Sequence, residues 1–300
     1  MSDQTAKKAS AAPLDAWWFA LQVYLPLRVR LSAITAIVHA LFQGHLAPDA
    51  LYRPYLGSSP IEGGWLGLLL GVWQRWDTCW YMLIAREGYS LGDTRIFAPP
   101  LYPWLMRLTG NLLGGSDRAY LLGGLIVSNL ACIAAFAYLY RLVEREWSAK
   151  LARHSVVYLA IFPTAFFLLA GYAESLFLLC AIAALYYARG ERWALSGLWA
   201  FLAPLARLPG VAIVLPLAWE LGRQWYALRH TECRRRTGRD LRWWQGWPLL
   251  LAALGGLAYP LYARLIIGTD SVWAPFAVHT QRFAGRFALP GQGLWHAVRI

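Results

Sequence analysis

Apolar stretches follow one another along nearly the whole chain, interrupted by short clusters of basic residues, a pattern that one soluble core would not need. Residues 121–140 are apolar on every face, which fits a buried helix and not the alternating pattern of a barrel strand. A bilayer core of about 30 Å takes on the order of 20 helical residues per crossing. The pattern therefore predicts an all-α polytopic membrane protein. A first span is expected at about 18–42, running outward, and a second full span at 121–140. The chain then goes out from His154, turns near Gly171-Tyr172-Ala173-Glu174 and returns to Arg189. It leaves again from Trp193, turns at Arg207-Leu208-Pro209-Gly210 and returns to Gly222, and a last span covers about 247–267.

Charge orients these spans. The net charge is +12, and the basic residues crowd into 141–153, 189–192 and 223–242, between apolar runs. That is the positive-inside signature, so these clusters are expected in the cytoplasm, where they can also attract anionic headgroups; nucleic acid is not an expected partner. The run 99–113 is short and carries Arg107. Counting it as a crossing would put the 141–153 cluster outside, so a re-entrant or interfacial helix is favoured, with a short true span as the alternative. Residues 1–14 read as a polar cytoplasmic N-terminus before an uncleaved span, and 15–300 as one transmembrane domain. Its first extracytoplasmic loop is long, about 43–97. Residues 268–300 read as an extracytoplasmic segment that stops without a polar tail, as in a truncated chain. Cys79, Cys132, Cys180 and Cys233 lack the close spacing of a metal or redox motif, so no metal, cofactor or disulfide is expected.

This threading collects Asp77, Glu174, Arg207 and the region 281–286 on the outer face. Asp77 stands in Arg75-Trp76-Asp77-Thr78-Cys79-Trp80-Tyr81, an acid between Trp76 and Trp80 in a chain poor in carboxylates. Such a placement costs desolvation that packing alone does not repay. A helix cap, or a salt bridge to Arg75, is the structural alternative.

The segment from Trp76-Asp77 through Ile84-Ala85-Arg86-Glu87-Gly88-Tyr89, followed by Pro100-Leu101-Tyr102-Pro103, resembles the second mannosyltransferase of the glycosylphosphatidylinositol pathway (PIG-V-like) and its prokaryotic relatives, which are GT-C-type glycosyltransferases. Tyr172-Ala173-Glu174-Ser175-Leu176-Phe177 is similar to that family's Tyr-x-Glu-Ser-Leu-Phe, and Arg207-Leu208-Pro209-Gly210 to its Arg-x-x-Gly. Gly268, Asp270, Phe276, Gln281 and Arg286 follow its late pattern with altered spacing around Asp270. Ala98 and Pro99 stand where the family has a Phe pair, and its early aspartate element reduces to Asp49.

The resemblance implies a GT-C-like helix bundle that moves a mannose from a polyprenyl-phosphate donor to a lipid or glycan acceptor hydroxyl outside the membrane, with inversion. The setting would be a bacterial plasma membrane, or the endoplasmic reticulum in a eukaryote. Such transfer needs a base, a cation for the departing phosphate, and aromatic or apolar walls. Asp77 is the candidate base. Asp49 is a candidate for assisting or binding sugar hydroxyls, or is a plain helix start. Arg207 and Arg286 are the best placed cations, with Arg86 and Arg107 competing and Arg107 equally able to snorkel to headgroups. Glu174 either pairs with an arginine or lies wet at a helix end. Trp76, Trp80, Tyr89, Tyr102, Tyr172 and Gln281 are candidate sugar contacts, although aromatics also populate membrane interfaces by default. A multi-pass transporter and a catalytically inactive assembly subunit are the competing readings.

Overall fold

The computed structural model describes residues 13–42, 55–61, 64–90, 94–230 and 246–282, so Asp49 and Arg286 lie outside the described residues. Among the described residues the structure is helical, without strands. The α-helices are α1 (Pro13–Phe42), α2 (Gly64–Leu69), α3 (Asp77–Glu87), α4 (Leu101–Leu112), α5 (Asp117–Glu146), α6 (Ala149–Ile161), α7 (Glu174–Arg189), α8 (Trp193–Ala206), α9 (Val214–His230), α10 (Pro248–Tyr262) and α11 (Ala274–Arg282). Short 3₁₀ turns at Gly71–Trp73, Thr94–Phe97, Ala165–Leu168 and Leu208–Ile213 join several of them, and a π-turn, Ala263–Ile267, extends α10.

α5 is the central post. Ser116 caps it by accepting from the Ala119 N–H at 3.2 Å, Asp117 lies in its first turn and Arg145 in its last, each charge favourable to the helix dipole. α1, α4, α6 and α7 pack around it; α8 packs on α7, and α10 on α8. Among the described residues three helical segments are long and apolar enough to cross a membrane: Leu14–Val38, Asp117–Glu146 and Leu249–Ile267. Of their apolar windows 61% is buried in α5 but only 6% in α1 and 28% in the α10 segment, so α1 and α10 present bare apolar flanks and α5 forms the core.

The expected turns at 171–174 and 207–210 are both present. The helices leading into them are shorter than the sequence reading requires, however: α6 has 13 residues and α8 has 14. Proline is the cause. Phe162, ahead of Pro163, is forced out of the helical region to ψ 139°, and Pro209 starts a 3₁₀ turn after the extended Arg207. Such breaks are tolerated at membrane depth where they are buried in protein or line a cavity. The run 99–113 becomes α4, whose 12 residues reach only about 18 Å. Tyr102, Met106 and Gly110 bury one face of it, while Trp104, Leu108 and Leu112 stay exposed, as suits a helix lying against a bundle.

The two ends of α5 carry different polar clusters. At its C-terminal end Glu220, 2% exposed, accepts from Arg223 and Gln224 and pairs with Arg189, which also reaches Glu146 at 3.0 Å. At its N-terminal end Asp117 pairs with Arg86. Along α1, Arg28 stacks 4.6 Å from the Trp73 ring and donates to the Leu169 carbonyl at 3.1 Å, whereas Arg30 is exposed.

Candidate active site

The turn that carries Asp77 is built from Gly71–Trp73, Gln74, Arg75 and Trp76. Trp76 holds φ 42° and ψ −118°, and directly after it α3 begins with Asp77. A carboxylate in a first helical turn is favoured by the unpaired N–H groups there. Tyr172, from the turn before α7, lies close to Asp77. A chain of buried hydrogen bonds fixes that turn to the bundle: Ser128 Oγ donates to the Tyr172 carbonyl at 2.9 Å, and Ser175 Oγ donates to the Ser128 carbonyl at 2.8 Å.

A cavity of about 350 Å³ opens beside Asp77, lined by Asp77, Tyr81, Phe97, Ala98, Pro99, Arg207, Leu208 and Pro209. Asp77 and Tyr81 share one wall because they are four residues apart on α3. Arg207, at the extended break between α8 and its 3₁₀ turn, supplies a cation, and the rest is mostly apolar. Arg207 donates to Glu174 Oε1, while Oε2 of the same carboxylate is buried without a hydrogen-bond partner among the described residues. Asp77, Glu174, Arg207 and Tyr81 all lie within electrostatic range of one another.

These fields bear on the chemistry available. Burial, reinforced by Asp77, holds the Tyr81 phenol well above its usual pKa, so Tyr81 offers a neutral O–H and not a base. Burial does the same for Tyr172, with Asp77 next in strength. Burial works against the Arg207 charge, but the carboxyl groups of Glu174 and Asp77 oppose it, and its pKa is held above the ordinary arginine value. The cavity thus sets a carboxylate and a firmly cationic guanidinium around one space.

The other expected site residues scatter. Trp76 is 61% exposed and Trp80 packs edge-on against Phe97 at 6.1 Å, and neither lines the cavity; the rings near Asp77 are those of Tyr81 and Tyr172. Arg86, at the far end of α3, pairs with Glu87 and Asp117 and donates to the Leu56 and Gly57 carbonyls. Tyr102 is fully buried, donating to the Gly124 carbonyl and sharing a hydrogen bond with Ser128. Tyr89 donates to the Ala98 carbonyl at 2.7 Å and so supports a wall without lining it. Arg107 is exposed on α4, and Gln281 falls in the last turn of α11. Sequence reasoning passed over Tyr81 and Phe97 as wall residues. Tyr81 was findable from its spacing to Asp77; Phe97 depends on how distant turns meet.

Gly210 shows why Arg207 is followed by a glycine three residues on. A Cβ there would sit 2.4 Å from the carbonyl carbon of Ala203, against backbone that cannot swing aside. Gly210→Ala is expected to destabilise the protein by about 1–3 kcal/mol and to displace the Arg207 turn, read as a lower unfolding midpoint together with reduced activity.

A family model described as Mannosyltransferase (PIG-V) matches residues 23–241, a span that holds Asp77, Glu174, Arg207 and helices α2 to α9 entire. No curated protein and no solved structure matches the chain. With this match over well more than half its length, the chain belongs to the mannosyltransferase (PIG-V) family of glycosyltransferases.

Proposed function

We propose that the chain is an inverting, GT-C-type membrane mannosyltransferase that moves mannose from a polyprenyl-phosphate donor to an acceptor hydroxyl on the extracytoplasmic face. The observation that carries this reading is the single cavity faced by both Asp77 and Arg207. The Asp77 carboxylate takes the proton of the acceptor hydroxyl as its oxygen attacks the anomeric carbon, and the bond from that carbon to the phosphate oxygen breaks. The departing lipid phosphate gathers negative charge, which the Arg207 guanidinium neutralises. One displacement at the sugar carbon inverts it. Glu174 holds Arg207 in place. The apolar side of the cavity, from Phe97 to Pro99 and at Leu208 and Pro209, suits the prenyl end of the donor.

The test is to incubate membranes containing the chain with radiolabelled polyprenyl-phosphate-mannose and assay for lipid-linked product. Labelled product from the intact chain supports the reading; solute uptake without sugar transfer would replace it with a transporter. The face is tested separately. Arg235→Cys, in the basic segment after α9, is expected to react with a membrane-impermeant thiol reagent only from the cytoplasmic side. Labelling from outside would invert the orientation and remove the extracytoplasmic site.

A further inference from the structure

The short segment Tyr55 to Ile61 does not line the cavity, yet it grips the turn that delivers Asp77. Its counterpart is Gln74, 0% exposed, three residues ahead of Asp77. Gln74 Oε1 accepts from the Ile61 N–H at 3.0 Å, and its Nε2 donates to Ser58 Oγ at 3.2 Å and to the Ser59 carbonyl at 3.1 Å. Both amide donors and one acceptor site are therefore spent on this one segment. The backbones also touch: a Cβ on Gly71 would lie 2.0 Å from the Ile61 carbonyl oxygen, so glycine is needed for the approach.

The far side of the segment is anchored to the bundle. Asp117, in the first turn of α5, accepts from the Ser59 N–H at 2.7 Å and from Arg86 Nη1 at 3.1 Å. Arg86 in turn donates to the carbonyls of Leu56 and Gly57, which lie at positive φ of 51° and 78°. Only Arg75 and Trp76 separate Gln74 from Asp77, and Trp76 sits where a bulky side chain is seldom found. A conformation of that kind persists when its surroundings over-determine it, and such outliers concentrate at functional sites.

We propose that residues 55–61 form a strap whose hydrogen bonds to Gln74 orient the Asp77 carboxylate, making Gln74 a positioning residue and Arg86 with Asp117 its anchor. The proposal rests on the reading of Asp77 as the base, and it gives Arg86 a role away from substrate. A displacement on the order of 1 Å of a reacting group costs about 10²-fold in rate.

Gln74→Met fills similar volume while removing the three hydrogen bonds, and it is read in two ways. The first is thiol labelling resolved by peptide mass spectrometry, since Cys79 is 1% exposed in the first turn of α3 and Cys132 is 1% exposed in α5. The second is kcat and KM for the polyprenyl-phosphate sugar. Expected are faster labelling of Cys79 but not of Cys132, and a kcat lowered about 10²-fold with KM little changed. Wild-type labelling and wild-type kcat in Gln74→Met would overturn the strap. If both cysteines react, the variant has unfolded, and Ser58→Ala, which removes one of the three Gln74 bonds together with the bond Ser58 donates to the Tyr55 carbonyl, carries the same two readouts with a smaller effect. A wild-type chain without transferase activity would overturn the proposed function, and selective exposure of Cys79 in Gln74→Met would still establish the strap.

Discussion

Asp77→Asn is expected to lower sugar transfer by about 10²- to 10⁴-fold, the range for loss of a positioned general base. The substitution preserves shape and the place of the side chain at the start of α3. The fold loses only a favourable charge at a helix N-terminus, about 0.3–1 kcal/mol, and part of the attraction to Arg207. Unfolding midpoint and membrane insertion should thus stay close to wild type while kcat collapses, with donor KM nearly unchanged because the base acts in the transition state. Initial rates alongside a thermal unfolding curve make the comparison. Transfer at the wild-type rate would take Asp77 out of the mechanism and leave the cavity as a binding site alone.

The second large effect is expected at Arg207, where the roles of phosphate partner and ion-pair member can be separated. Arg207→Gln removes the charge that meets the leaving phosphate and should cost about 10²- to 10³-fold in kcat, comparable with loss of one charge-stabilising donor elsewhere. Arg207→Lys keeps the charge but loses the planar fork, so an intermediate rate is expected. Removing Arg207 also leaves the half-buried Glu174 carboxylate without its cation, which should destabilise the fold by about 1–3 kcal/mol. Adding Glu174→Gln to Arg207→Gln should restore much of that stability, because no unpaired charge remains, yet leave transfer as low as in the single variant. Recovery of activity along with stability would mean that Arg207 serves only to neutralise Glu174.

Much of this site was legible before any fold was known. Asp77, Glu174 and Arg207 lie about a hundred and thirty residues apart from first to last; the charge clusters alone predict a shared face for them, and in the structure Asp77 and Arg207 line one cavity with Glu174 paired to Arg207. Tyr81 follows from helical spacing. The neighbours of Asp77 do not: Trp76 and Trp80 flank it in sequence, but a helix start sends successive side chains in different directions, so one ring is exposed and the other turns to Phe97. Arg86, Tyr89 and Tyr102 read equally well as ligand contacts until their partners are seen, since a motif does not reveal whether a polar head meets substrate or a neighbouring carbonyl.

Hydrophobic periodicity and the placement of basic residues determined that this chain is a stack of apolar helices, where it turns at 171–174 and 207–210, and which end of the stack carries the acid and the cation; these follow from local composition and the bilayer's length scale. Tertiary structure decided the rest. It set how far each helix runs before proline breaks it, which of several arginines reaches the cavity, and that a buried glutamine fastens the Asp77 turn to residues 55–61. The physical reason is that hydrogen-bond partners and cavity walls come from elements distant in sequence, and a side chain's chemistry fixes what it can bind but not what packing brings within its reach.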